Sequence, residues 1–257
     1  MGQILHERDG GIAFVTLSNP GKLNAIDKGM WLALADVFAA LSAQDDLRCV
    51  IVRGADGNFA AGADIAEFPQ VRATREQGMH YHTHIIAAAL DAIACCIHPT
   101  VAAIEGVCVG GGLEIAAACD LRIAACNARF GIPINRLGFP LAPGEMAGLI
   151  QLIGKAATLE ILLEGRVFDA AEAQDKGLVT RIADDVALAA KQSAARIANG
   201  SPLAARMNKR LARRLTAAAA PLNDDELREA FAFLDSEDYR EGLAAFLARR
   251  DPDFAGR

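Results

Sequence analysis

Apolar positions recur along this chain with two periods, and the switches between them mark out its elements. Positions 12–17 alternate and predict a strand, closed by the turn-forming cluster Ser18-Asn19-Pro20-Gly21. Asp27 is placed to cap a helix, and Met30, Trp31, Leu34, Val37, Phe38 and Leu41 follow at helical spacing. Val50-Ile51-Val52 predicts a short buried strand, and 54–58 a loop. Asp64 is predicted to cap a short helix that runs to Phe68 and ends at Pro69. Residues 74–96 predict one long helix with Ile85, Ile86, Leu90 and Ile93 as its core stripe. A strand at 101–104 leads into the triplet Gly110-Gly111-Gly112 and an apolar, helix-favouring segment. Another strand follows at 121–124, then an apolar loop at 130–140 with several turn-formers. Helices are predicted at 146–153, 156–163, 170–176 and 186–198, with a short strand at 179–182. From Ser201 onward only helices remain, at 202 onward, 223–235 and 237–250, the last stopped by Pro252. The chain therefore divides into a mixed α/β core at 1–200 and a helical region at 201–257.

Composition adds limits rather than a fold. Of 257 residues, 53% are hydrophobic and 23% charged, enough apolar surface for a large core. The net charge of −6 gives no general attraction to nucleic acid or to an anionic membrane. The six cysteines form no C-x-x-C pair and sit mostly in apolar runs, which predicts buried free thiols in a reducing compartment. No signal peptide and no apolar run long enough to span a bilayer is read, so a cytoplasmic location is expected.

The candidate chemistry centres on residues 103–120. Glycines let the backbone turn sharply and let another molecule approach closely. The first N–H groups of the helix that follows lack internal partners, and the helix dipole makes that end positive. Gly110 to Gly112 could thus hold a developing negative charge. Glu114 lies among Leu113, Ile115, Ala116 and Ala117, surroundings that raise a carboxyl pKa toward the range useful for proton transfer. By themselves these residues read equally well as a close-packed turn with Glu114 as a dipole partner. His80, His82 and His84 alternate, which scatters them around a helix, and they read as surface histidines rather than metal ligands. No metal, flavin or nicotinamide motif is visible.

Two loops together point further. Phe59-Ala60-Ala61-Gly62-Ala63-Asp64-Ile65 resembles the F-x-A-G-A-D-[ILM] loop of the enoyl-CoA hydratase/isomerase (crotonase) family, and Gly110-Gly111-Gly112-Leu113-Glu114-Ile115-Ala116 resembles its G-G-G-x-E-L-A motif. Pro20 to Ala25 resembles the family's P-x-x-x-N-A. The segments at 168–179 and 236–246 resemble its A-x-E-A-x-x-x-G-L-V and S-x-D-x-x-E-G-x-x-A-F patterns. The resemblance implies a spiral of strand–strand–helix (ββα) units, with a C-terminal helical region that builds homotrimers, often paired into hexamers. It implies an acyl-CoA substrate, with coenzyme A as carrier and no bound cofactor. The thioester oxygen would be held by the amides of Ala63 and Gly111, with Glu114 as acid or base. By the same resemblance Ala25, Ala61, Asp64, Ile65, Val109, Gly110, Pro133, Ile134 and Leu137 would contact substrate or coenzyme. Lys22, Arg53 and, from a neighbouring subunit, Lys209 are candidates by charge and position for its phosphates.

The chain departs from the family pattern at one chemically central point. Hydratases resembling it carry a second glutamate after proline in F-x-x-P-E, whereas here Phe130-Gly131-Ile132-Pro133-Ile134 ends in isoleucine. One carboxyl orients water poorly and leaves one proton transfer without a partner. Glu145, Glu105, Asp64 and a histidine of 80–84 are the possible stand-ins. The expected activity is addition or removal of water, or movement of a double bond, next to a CoA thioester. The alternatives are a one-carboxylate isomerase or decarboxylase, or a silent acyl-CoA-binding subunit.

Overall fold

The computed structural model describes residues 2–216 and 223–253. Its first two strands, β1 (Gln3–Asp9) and β2 (Ile12–Ser18), form an antiparallel hairpin. β1 is an edge strand exposed along most of its length, so its sequence carries little of the half-buried alternation that marks β2. The remaining strands are β3 (Cys49–Gly54), β4 (Thr100–Ile104), β5 (Val107–Val109), β6 (Leu121–Ala125), β7 (Arg129–Gly131), β8 (Phe168–Asp169) and β9 (Arg181–Ala183). They make a six-stranded sheet ordered β1-β2-β3-β4-β6-β9, parallel from β2 onward, and a three-stranded sheet ordered β5-β7-β8. Consecutive strands thus alternate between the two sheets from β4 to β7, which is the ββα spiral expected from the sequence.

Parallel neighbours require crossovers, and helices supply them. They are α1 (Lys28–Ser42), α2 (Phe68–Val71), α3 (Arg75–His80), α4 (Ala87–Cys95), α5 (Gly111–Ala118), α6 (Pro143–Glu164), α7 (Ala170–Asp175), α8 (Val186–Ala198), α9 (Pro202–Leu215), α10 (Asp224–Ala230) and α11 (Glu237–Ala248). Both faces of the large sheet are covered. Along β3, Val50 and Val52 join a core with Trp31, Leu34 and Phe38 of α1 and Ile93 of α4, whereas Cys49 and Ile51 pack with Val186, Ala190 and Ala194 of α8. A strand buried on both faces reads as a continuous apolar run, as Val50-Ile51-Val52 does.

Several expectations are corrected. Residues 74–96 are not one regular helix: a π-helical segment, Tyr81–Ile86, joins α3 to α4, and Cys96 is already extended. The wider turn brings Tyr81, His82, Ile85 and Ile86 all to buried positions. Asp64 does cap a turn, the 3-10 segment Ile65–Glu67, but Pro69 lies in the first turn of α2 instead of ending a helix. α6 is long and apolar enough, by length and composition, to cross a membrane, contrary to the expectation that no such run exists. Its helical path is broken at Gly154 (φ 76°, ψ 165°), which accounts for the separate helices expected at 146–153 and 156–163. Cys49, Cys96, Cys108 and Cys119 are buried free thiols, while Cys95 and Cys126 are exposed.

The helical region after Ser201 is fastened to the core of its own chain. Lys209 of α9 pairs with Asp120 at 2.7 Å and donates to the His98 carbonyl at 3.1 Å. Phe231, Leu234 and Tyr239 form a small apolar cluster with Ala142, and Asp235 pairs with Arg75 of α3.

Candidate active site

Two backbone loops meet where the sequence motifs placed them. The loop 60–64 is strung between neighbours on both sides. Ala60 bridges Cys108 of β5 and Ala63 bridges Ile26, with Ile26 N–H donating to the Gly62 carbonyl at 2.7 Å and Asp64 N–H to the Ile26 carbonyl at 2.9 Å. Upstream, Asn24 reaches the Ala55 and Asn58 carbonyls at 2.8 Å each, which fixes the entry to this loop. Opposite it, Gly110 turns β5 into α5 with φ +50°, a conformation side chains rarely adopt. Glycine at 112 answers a different need: a Cβ there would lie 2.5 Å from the Ala60 carbonyl oxygen. The close approach puts the Ala63 amide beside the start of α5, where a Cβ on Gly111 would sit 3.6 Å from the Ala63 nitrogen. Neither the Ala63 nor the Gly111 N–H donates in any hydrogen bond found among the described residues. Two adjacent amides at a helix N-terminus form a receptor for an oxygen that becomes negative during reaction.

A cavity opens beside these amides. Its walls include Trp31, Ala61, Ala63, Ile65, Val109, Gly110, Gly111, Glu114, Pro133, Ile134, Leu137, Phe139 and Glu145. Glu114 lies in the first turn of α5 and is 7% exposed. Burial, and after it the negative charge of Glu145, push its carboxyl well above the usual carboxylate range, which favours the protonated form. Glu145 comes from the first turn of α6, where Pro143 starts the helix. It is 8% exposed and hydrogen-bonds through Oε1 to His82 Nδ1 at 2.6 Å. His82 lines the same cavity, and its Nε2 is buried with no hydrogen-bond partner. His82 is therefore not the surface residue its spacing suggested, because the π-helical turn rotates it inward. His80 and His84 stack on each other with ring centroids 4.8 Å apart.

Arg72, at the C-terminal end of α2, also lines the cavity and is 2% exposed. The rings of Phe68 and Phe139 lie 4.3 Å from its Cζ, with Tyr239 at 5.2 Å and Phe233 at 5.5 Å. Its Nε and Nη2 are buried without hydrogen-bond partners.

Among the residues read from the sequence as contacting ligand, Ala61, Ala63, Ile65, Val109, Gly110, Pro133, Ile134 and Leu137 meet at this cavity. Lys22, Ala25 and Asp64 are not on its wall. Lys22 pairs with Asp64 at 2.5 Å and is half-exposed, while the Ala25 carbonyl accepts from the Asn19 amide at 2.7 Å. Arg53 binds Glu7 and Thr16 across β1 to β3, and Lys209 is buried in its pairing with Asp120, so neither is a free cation awaiting phosphate. Arg72 and Tyr81 escaped sequence reasoning altogether. Glu145 and His82 were only possible stand-ins, and one signal could have raised Glu145, a carboxylate just after a helix-starting proline.

The sequence pattern of the enoyl-CoA hydratase/isomerase family matches residues 7–257. A protein named probable enoyl-CoA hydratase echA8, from Mycobacterium tuberculosis, is 36% identical over 259 residues, covering 99% of this chain and 98% of its own. The crystal structure of an enoyl-CoA hydratase/carnitine racemase from Magnetospirillum magneticum superposes with a TM-score of 0.81 at 46% identity, covering 99% of this chain and 96% of that one. A methylmalonyl-CoA decarboxylase in complex with 2-nitronate-propionyl-CoA gives a TM-score of 0.87 at 26% identity, over 99% and 98% of the two chains.

Proposed function

The chain belongs to the enoyl-CoA hydratase/isomerase family, and from that premise we propose that it adds water to, or removes it from, the double bond next to a coenzyme A thioester. The observation that carries this reading is the second carboxyl. Glu145 enters from α6 to face the same cavity as Glu114, and so supplies what Ile134 lacks. The Ala63 and Gly111 amides accept the thioester oxygen and hold the enolate that forms when the double bond is attacked. Glu145, steadied by His82, takes a proton from water as its oxygen bonds to Cβ. Glu114, whose protonated form is favoured by burial, delivers a proton to Cα. In the reverse direction the two carboxyls exchange roles. Double-bond migration and decarboxylation can proceed with the oxyanion pair and one carboxyl, so a second carboxyl at the cavity favours water chemistry. Coenzyme A enters as the carrier of the acyl group, and half-exposed Lys22 would meet its phosphates by giving up its pairing with Asp64.

Hydration of a series of trans-2-enoyl-CoA thioesters, followed by loss of the conjugated absorbance, tests this reading. Glu114→Gln and Glu145→Gln should each lower kcat on the order of a hundredfold or more while acyl-CoA binding persists. Turnover unchanged in Glu145→Gln would remove Glu145 from the mechanism. No turnover of any enoyl-CoA by a protein that still binds acyl-CoA would end the hydratase reading.

The same reading extends to assembly. α9 exposes Leu203, Met207, Leu211 and Leu215 at four-residue spacing, rimmed by arginines, in a chain of net charge −6. An apolar stripe with a basic rim complements a second copy of an acidic chain, which supports a homotrimer, or a hexamer of paired trimers, joined through the C-terminal region.

A further inference from the structure

The cavity contains one charge that the hydration chemistry does not use. Among the described residues Arg72 has no anion paired with it. Its Nε and Nη2 meet no hydrogen-bonding carboxylate, and its surroundings are the rings of Phe68, Phe139, Phe233 and Tyr239. Aromatic rings offset part of a guanidinium's charge but hold no lone pair for its N–H groups. The two acids of the cavity do not complete the pairing. Glu145 is committed to His82 at 2.6 Å, and burial disfavours the charged form of Glu114. Burial alone works against the charged form of Arg72, with Tyr239, Glu145 and Tyr81 acting weakly the other way. A guanidinium nevertheless keeps its charge in a protein interior. A buried charge left without a counter-ion is a substantial cost to the fold, and such a group persists where something else supplies the partner.

The two unpartnered nitrogens say what that partner is. Nε and Nη2 share one edge of the guanidinium, the edge whose parallel N–H groups match the two oxygens of a carboxylate. A thioester seated on the Ala63 and Gly111 amides directs its acyl chain into a cavity whose walls include Ile134, Leu137 and Phe139, and Arg72 belongs to the same walls. We propose that Arg72 receives a carboxylate at the far end of the acyl chain, so that the substrate is the CoA monothioester of a dicarboxylic acid. This rests on the acyl-CoA reading above and sharpens its substrate class. The apolar stretch between oxyanion pair and cation accommodates the methylenes, and the aromatic cage excludes water from the ion pair, which strengthens it.

Binding of unreactive saturated thioesters tests the proposal without turnover. Succinyl-, glutaryl- and adipyl-CoA would each be compared by calorimetry with the methyl-ended chain of equal length, butyryl-, pentanoyl- or hexanoyl-CoA. The phosphates of coenzyme A are common to both members of each pair and cancel. For at least one length the carboxylated chain should bind about tenfold or more tighter, the range expected of hydrogen bonds to a charged group. Arg72→Met, an unbranched apolar replacement suited to the cage, should erase that preference, so that the carboxylated chain no longer binds tighter than the methyl-ended chain of equal length. Equal binding within every pair by the wild-type protein would overturn the proposal, and this comparison needs no variant to fold. A preference that survives in Arg72→Met would overturn it as well. A carboxylate preference without turnover of any enoyl-CoA would refute the hydration chemistry and leave the Arg72 assignment standing. Efficient turnover with no such preference would do the reverse.

Discussion

Glu114 combines a proton-transfer role with a stability cost, and the two are separable by pH. Its carboxyl is raised in the folded protein, chiefly by burial and then by Glu145. Below the usual carboxylate range both folded and unfolded chains hold the proton, and nothing is lost. Above it the unfolded chain releases the proton while the folded one keeps it, so stability falls with rising pH until the raised folded value is passed. Glutamine has no proton to release. As pH rises above the ordinary carboxylate range, the stability difference between Glu114→Gln and wild type should therefore move in favour of the variant. Urea unfolding of both proteins at fixed concentration would measure it, and a difference that does not change with pH would mean Glu114 is ionised in the fold. This residue was legible because everything that shapes it is contiguous: the glycines before it and the apolar residues around it. Glu145 and His82 were not, since they are separated by 63 positions and are brought together only by the π-helical turn and the start of α6. Arg72 reads in sequence as an ordinary charged residue near a helix end. Its isolation is created by Phe233 and Tyr239, which come from the far end of the chain.

At the scale of elements, the site depends on how closely α5 approaches the loop 60–64. Glycine at 112 permits the approach, with the Ala60 carbonyl and Cβ both within 2.8 Å of where a side chain would begin. Gly112→Ala should push the loop from the helix and separate the Ala63 and Gly111 amides, although neither amide is itself altered. Misplacement of a reacting group by about 1 Å can cost on the order of a hundredfold in rate, so kcat/KM for an enoyl-CoA should fall by that order. The protein should remain folded, as judged by circular dichroism. A variant with wild-type kcat/KM would show that the two loops are not held in register by this contact. The main elements were legible for a related reason. β2, β3 and α1 each carry a complete burial pattern in their own residues, and Asp27 caps α1 through Met30 N–H as its position suggests. The short strands β5, β7 and β8 were not, because two or three residues hold too little period to read. The long helix at 74–96 failed because a π-helical turn leaves the apolar composition intact while shifting which residues face inward.

The whole molecule poses the question of what covers α9. Its inner side is occupied: Lys209 pairs with Asp120, and Arg206 donates to the Asp45 carbonyl at 2.7 Å. Its outer side carries Leu203 at 75% exposure and Leu215 at 79%, with Met207 and Leu211 between them. Phe246 and Leu247 of α11 are half-exposed as well. Leaving a stripe of this kind in water forgoes roughly 25 cal/mol for each Å² of apolar surface that burial would remove. A second copy is the partner always present at the protein's own concentration, and cyclic symmetry lets every copy cover its neighbour's stripe without leaving an open end. Light scattering of the purified protein should therefore give three times the chain mass of 27.1 kDa, or twice that trimer. Leu211→Glu places a charge in the middle of the stripe and should shift the mass toward one chain. It should leave the fold intact, because Leu211 is 45% exposed within its own chain. A wild-type protein that scatters as 27.1 kDa at every concentration would mean that the stripe faces solvent and the C-terminal helices serve only their own chain. A Leu211→Glu variant that stays trimeric would move the contact away from α9, toward the Phe246 and Leu247 surface of α11.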